Sequence, residues 1–230
     1  QEQRTIVEKL DKLRIPINSH EKDIQHIEKL KQGMLQQLKE GSFFKEEPTR
    51  YRLKNISKIR MGETLVANTL TGDGLPVFSA DTGVGPWGYT STSRNTFHSG
   101  TIILSARGSI GHPRLPTFQK YISTQTTIAI IPEKELVLPE YLHIWLQTIS
   151  YKRLTSVQAI PMLTVSDMKE VNIMLPDQKT QANIAKTFAS LQKMKTLHRE
   201  QISIYKKLFY AMKFKLLYGK TRVEQTGDSL

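Results

Sequence analysis

"KTQANIAKTFASL" at residues 179–191 carries the same skeleton as "QEQRTIVEKLDKL" at residues 1–13. Gln3 answers to Gln181, Ile6 to Ile184, Leu10 to Phe188 and Leu13 to Leu191. At the same ungapped offset of 178 residues His20 matches His198, Ile24 matches Ile202, Met34 matches Met212, Leu38 matches Leu216 and Gly41 matches Gly219. Such agreement over about forty positions marks two copies of one structural element flanking something else.

The element reads as a helix. In the first copy Leu10, Leu13, Ile17, His20, Ile24, Ile27, Lys31, Met34 and Leu38 step alternately by three and four residues. In the second copy the same steps select Phe188, Leu191, Lys195, His198, Ile202, Tyr205, Phe209, Met212 and Leu216. That is a heptad stripe. Leu30, Leu35 and Leu208 are expected to widen it, and Gly41 and Gly219 stand where a left-handed cap would close each helix. Pro16 lies inside the first helix and predicts a bend or break near Ile15. His20 and His198 fall on the seam, where they read as a polar pair that sets register; no metal site is expected. Two such helices pack most simply as an antiparallel pair.

Four segments follow: a helical region at 1–41, a globular insert at 42–178, a second helical region at 179–220 and a tail at 221–230, expected to be disordered. Their charges are +1, +4 (counted over 42–179), +8 (over 180–220) and −1. The whole carries +12, with a pI near 9.8. Such a balance points to a polyanionic partner, most often nucleic acid; the alternative is a basic protein whose lysines are merely solvated. No run of about 18 apolar residues marks a membrane span. The absence of cysteine excludes disulfides, thiol catalysis and Cys-based zinc sites, and fits the expected cytoplasmic location.

The insert holds every proline but Pro16. Short β-rich runs such as "GTIILSA" (100–106) and "TTIAIIP" (126–132) alternate with turn signals at 71–74, 81–88 and 107–111. "PEYLHIWLQTIS" (139–150) predicts a helix opened by Pro139, and "TVSDMKEV" (164–171) a shorter one. The expected fold is therefore α+β: one mixed globule with a curved β-sheet, flanked by two long antiparallel coiled-coil helices.

Catalytic motifs are missing. No P-loop, nucleophile elbow or zinc-protease spacing occurs, and His98, His112 and His143 are scattered. Asp177 near Lys179 gives the start of a metal-dependent nuclease pattern without its spaced second acid. Binding features are better represented. "SARGSIGHPR" (105–114) places Arg107, Gly108, Ser109, His112 and Arg114 on a Gly-rich loop leaving a strand. Such a loop lets backbone N–H groups approach a phosphate, while an arginine can reach a guanine edge. "SVQAIPMLTVSD" (156–167) adds Gln158, which can bond bidentately to adenine, and Thr164. Arg94 and Lys120 are further cationic candidates. An ordinary hairpin turn, polar loop filler and solvated cations are the competing readings.

Taken in order, these segments resemble the specificity subunit of type I restriction–modification systems. "YRLKNISKIRMGET" (51–64) is similar to the usual opening of its target-recognition domain. "LPVFSADTGVGPWGYTS", "GTIILSARGSIGHP", "LPEYLHIWLQT" and "IPMLTVSDMKEVNIMLP" resemble its later segments, and the paired helices resemble its two conserved regions. The resemblance implies a non-catalytic subunit whose recognition domain reads one half of a split double-stranded DNA site. Its helices would space the readers and dock methyltransferase (M) subunits beside a restriction (R) subunit. It implies no cofactor in this chain, with S-adenosylmethionine, ATP and Mg²⁺ on the partners. With one recognition domain the chain reads as half of such a subunit, its first domain absent or supplied by a second copy in a homodimer. The alternative is a coiled-coil adaptor that binds protein through its globular insert.

Overall fold

A computed structural model describes residues 2–80, 85–92, 95–154 and 161–217. In chain order the elements are α1 (Glu2–Glu40), β1 (Thr49–Arg52), β2 (Ser57–Met61), β3 (Leu75–Phe78), β4 (Gly88–Thr90) and β5 (Phe97–His98). They continue with β6 (Ile102–Ser105), β7 (Pro113–Arg114), β8 (Lys120–Ser123), β9 (Thr127–Pro132), α2 (Pro139–Leu146), α3 (Val165–Lys169), β10 (Asn172–Leu175) and α4 (Gln178–Leu217). The chain forms two compact units: Met34–Thr187, and the chain before and after that span. No described helix is long and apolar enough to cross a membrane.

In the helical unit, the residues at heptad spacing face away from solvent. Ile17, Ile27, Phe188 and Leu191 are buried, and Leu10, Leu13, Ile24, Ile202, Tyr205, Phe209, Met212 and Leu216 are half-buried. The helices run antiparallel. Arg14 lies 5.7 Å over the Phe209 ring, Glu21 pairs with Lys206 at 3.2 Å, and Glu28 pairs with Lys195. Burial pushes the Lys31 ammonium below its ordinary pKa, while the Glu28 charge opposes that shift.

Two sequence expectations are corrected here. Of the expected bend or break, the break does not occur: α1 runs unbroken from Glu2 to Glu40 with Pro16 inside it. The ring removes the one bond that position 16 would donate to the Lys12 carbonyl. Apolar burial on either side, at Leu13 and Ile17, carries the helix across that gap. Leu30 and Leu208 do not widen the seam: they are 54% and 50% exposed. Each sits roughly 70–80° round its helix from the seam centre, at the edge of what a single partner helix covers.

In the second unit α1 ends on Met34, half-buried, and Leu38, fully buried. Gly41, at φ +82°, donates to the Leu38 carbonyl, and the Ser42 hydroxyl and Phe43 N–H donate to that of Gln37, a left-handed cap. Gly219, its equivalent, lies outside the described residues.

The strands of this unit form two four-stranded sheets, ordered β2-β9-β6-β7 and β4-β3-β8-β5, and a two-stranded β1-β10 ribbon. Pairing is antiparallel except between β3 and β8. Alternation along the strands separates two faces. Ile103 and Ala129 from the first sheet pack on Phe78, Phe97 and Tyr121 from the second. Ile102, Leu104, Ile128 and Ile130 point the other way and are also fully buried. The far face of the second sheet, at Val77 and Ile122, is covered by Leu65 and Leu70. The predicted helix at 139–150 stops at Leu146, and the one at 164–171 is reduced to Val165–Lys169.

The buried phenols and the buried glutamine of this unit are tied to backbone. Tyr121 donates to the Thr101 carbonyl at 2.6 Å and Tyr151 to that of Leu146 at 2.8 Å, and burial pushes both phenols above their ordinary pKa. Gln181, the repeat's glutamine, is 1% exposed. It accepts from Leu138 N–H at 2.8 Å and donates to the Leu136 and Pro176 carbonyls at 3.1 and 2.9 Å.

Candidate nucleic-acid interface

Strand register decides which loops meet. Phe78 pairs with Ser123, so β3 and β8 end together. Ser105 pairs with Thr127 and Met61 with Ile128, which brings the ends of β6 and β2 to the start of β9. A bridge between Glu63 and Thr124 joins the two groups. Residues 62–64, 79–80, 106–112 and 124–126 therefore leave the two sheets on one side. The Leu163 N–H donates to the Ala106 carbonyl at 2.9 Å and adds 161–164 to this rim.

The Gly-rich loop is an exposed part of this rim. Arg107, Gly108, Ser109 and His112 are exposed. The loop folds back through Gly111 N–H to the Ser105 carbonyl at 3.0 Å. Gly111 has φ +79°, and a Cβ there would stand 2.2 Å from the Tyr151 ring, so no other residue fits. Arg107 leans toward the neighbouring segment, its Nε 3.1 Å from the Met162 sulfur. Thioether sulfur is a weak acceptor, so this contact orients the guanidinium without using up its donor edge.

The remaining candidates separate. Arg114 is half-buried, donates to the Ser79 carbonyl, and lies 5.5 Å over the Phe78 ring; its guanidinium braces the rim from beneath. Thr164 is on the rim, but its hydroxyl is engaged in a capping box with Asp167 at the start of α3. Lys120 is exposed at the other end of β8, opposite His98 and roughly 10 Å along the strand from the rim. Arg94 and Gln158 lie outside the described residues.

Sequence reasoning missed a hydroxyl cluster beneath the loop. Thr124 and Thr126 are 2.8 Å apart, and both reach the Ser79 hydroxyl at 3.2 Å. The signal was "STQTT" at 123–127, a hydroxyl-rich turn between two apolar strands. Other cations are committed elsewhere. Arg52 and Lys54 both bond Glu170, and the Lys54 hydrogen bond chiefly holds that carboxyl below its usual range. Arg60 lies 4.4 Å over the Phe97 ring. Asp177, the nuclease candidate, caps α4: its carboxylate accepts from the N–H and hydroxyl of Thr180, and this holds it below its ordinary pKa. A capping carboxylate held by its own helix is poorly placed to bind a catalytic metal.

Residues 45–204 match the family described as type I restriction modification DNA specificity domain. None of the curated proteins matches the chain. Among solved structures, the fold is similar to the S subunit of a type I restriction–modification system from M. genitalium, at TM-score 0.67 and 17% identity over 94% of this chain. It is similar to the HsdS subunit from Thermoanaerobacter tengcongensis at TM-score 0.66 and 22% identity over 96%. A third, from work on assembly and conformational transition of the type I R-M system, matches at TM-score 0.65 and 21% identity over 94%. This chain spans 60%, 59% and 59% of the length of those three in turn.

Proposed function

The chain belongs to the type I restriction modification DNA specificity domain family, a family of non-catalytic recognition subunits, and on that premise we propose that it reads DNA sequence for a type I restriction–modification complex. The recognition unit reads one half of a bipartite duplex site, and the helices space two such readers and dock methyltransferase subunits. Chemistry belongs to partners: methyl transfer from S-adenosylmethionine on M subunits, ATP- and Mg²⁺-dependent cleavage on the R subunit. The second reader comes from a further domain or from a second copy of this chain.

The observation that carries this reading is the rim. Strand register gathers an exposed arginine on a Gly-rich loop, three hydroxyls and backbone from four connections on one side of the domain. Donors of this kind suit phosphates and base edges together. An apolar stripe on α4, with Met194, Leu197, Ile204 and Leu208 each about half exposed, supports a protein partner on the helices.

Purified chain, alone and with a methyltransferase subunit, should bind duplex DNA with log K falling steeply against log salt. Undetectable affinity in both settings would sink the proposal in favour of a coiled-coil adaptor. Mapping methylated sites in the source cell then separates the two sources of the second reader. A split palindrome indicates two copies of this chain, and an asymmetric site a different second domain.

A further inference from the structure

His20 Nδ1 and His198 Nδ1 face each other at 2.9 Å. At that distance either one ring donates its Nδ1–H to the other or a cation lies between the two nitrogens. Oδ2 of Asp23, one turn along α1 from His20, stands 3.9 Å from one of these nitrogens and 3.7 Å from the other. Those distances are too long for hydrogen bonds, and the three donor atoms border one common space. The nearest point equidistant from all three atoms lies in their plane, about 2.1 Å from each, the distance at which Zn²⁺ holds imidazole nitrogen and carboxylate oxygen. We propose that His20, His198 and Asp23 form a binding site for a first-row divalent transition metal, best matched by Zn²⁺, that clips α1 to α4.

The surroundings suit such a site. The Tyr205 ring stacks on His20 at 5.9 Å between centroids, 29° from parallel, and restrains the imidazole. The side chains are 24%, 23% and 45% exposed for His20, His198 and Asp23, so an ion can enter; small ring rotations that open the gap between the nitrogens to about 3.4 Å would lift the ion out of the donor plane and let a water complete a tetrahedral set. Two imidazoles and one carboxylate select Zn²⁺, Co²⁺ or Ni²⁺ over Mg²⁺ and Ca²⁺, which favour oxygen ligands. The ligands come from both helices of one compact unit, so the ion fixes their relative register. The repeat conceals the site, because the position equivalent to Asp23 is Gln201.

Co²⁺ titration of the chelator-treated full chain tests this directly. The expected result is one Co²⁺ per chain with the visible d–d bands of four-coordinate cobalt, displaced by Zn²⁺ and not by Mg²⁺. Zn²⁺ should also raise Tm. His20→Gln, His198→Gln and Asp23→Asn should each weaken Co²⁺ binding by roughly tenfold or more, with helicity checked by far-UV circular dichroism, while His26→Gln binds as wild type. The proposal is overturned if no four-coordinate spectrum forms, or if folded His198→Gln binds Co²⁺ like wild type. In that event the pair is joined by a shared proton alone.

Discussion

His20 and His198, equivalent positions of the repeated helix, face each other across the antiparallel pair with their Nδ1 atoms 2.9 Å apart. In an antiparallel pair of two like helices, equivalent residues meet only at the local two-fold. The histidines therefore centre the register, and a slip of one turn would set His20 against Ile202 and His198 against Ile24 in one direction, or His20 against Lys195 in the other. In metal-free protein, His20→Leu should cost about 1–2 kcal/mol by leaving His198 unpaired. The double variant His20→Leu/His198→Leu should recover most of that while loosening register. A double-mutant cycle by urea denaturation measures the coupling, and strictly additive effects would show that the contact carries no energy.

Arg107→Ala should weaken specific DNA binding by about 1–3 kcal/mol if the guanidinium reads a base. Thr164→Ala should behave differently. Its hydroxyl caps α3, so the expected effect is a stability loss of about 1 kcal/mol with little change in sequence discrimination. Titrating target and scrambled duplexes against both variants, beside their urea midpoints, separates the roles. Arg107→Ala binding both duplexes like wild type would remove that residue from the interface.

Gln181→Ala should be among the costliest polar substitutions in the recognition unit. Its amide satisfies one N–H and two carbonyls in a site that is 1% exposed. Truncation leaves these groups unpaired, at about 1–3 kcal/mol. Gln181→Glu should be worse, since a carboxylate cannot donate to the Leu136 and Pro176 carbonyls. Chemical denaturation provides the measurement, and a loss below about 0.5 kcal/mol would mean that water replaces the clamp.

The helical unit should lose stability on acidification through Glu28. The Lys195 hydrogen bond is the main cause that holds this carboxyl below its ordinary value of 4.5. A depressed carboxylate contributes fully above its unfolded pKa and loses that contribution as pH falls through the folded value. The window therefore lies below about pH 4.5. Glu28→Gln should lose about 0.5–1 kcal/mol at neutral pH, and the gap to wild type should close under acid. Thermal melts across pH 2–7 would show it, and a gap that is independent of pH would refute it.

How much of this was legible depends on whether the signal was local. The heptad spacing from Leu10 to Leu38 is a property of one helix, and those side chains are all turned from solvent. "GTIILSA" and "TTIAIIP" were readable as strands, and they are the adjacent β6 and β9. Their neighbours were not readable, because the parallel β3–β8 pair and the β2–β9 pair join segments far apart in sequence. The site divided in the same way. The loop at 106–112 announced itself by its glycines. That Arg114 braces the Ser79 carbonyl and Thr164 caps a helix depends on what folding brings near them. Asp23 joining two histidines required the second helix to be in place.

Gly111 and Gly108 lie three residues apart on the rim loop and should respond differently to alanine. Both have positive φ, +79° and +65°. Alanine in that region costs about 1–2 kcal/mol of backbone strain. Space separates the two sites. A Cβ at Gly108 meets nothing within 4 Å, whereas at Gly111 it stands 2.2 Å from Tyr151 Cδ2. The Tyr151 ring cannot yield cheaply, because it is buried and its hydroxyl is held by the Leu146 carbonyl. Gly108→Ala should therefore remain folded, with only the strain cost. Gly111→Ala should lose more than about 3 kcal/mol and displace the loop that presents Arg107, abolishing sequence-specific binding. The double variant Gly111→Ala/Tyr151→Ala removes the clash, so its loss should be smaller than the sum of the two single losses. Urea denaturation and duplex titration of the four variants test this. Equal losses in Gly108→Ala and Gly111→Ala would show that backbone conformation alone, rather than the Tyr151 contact, governs the loop.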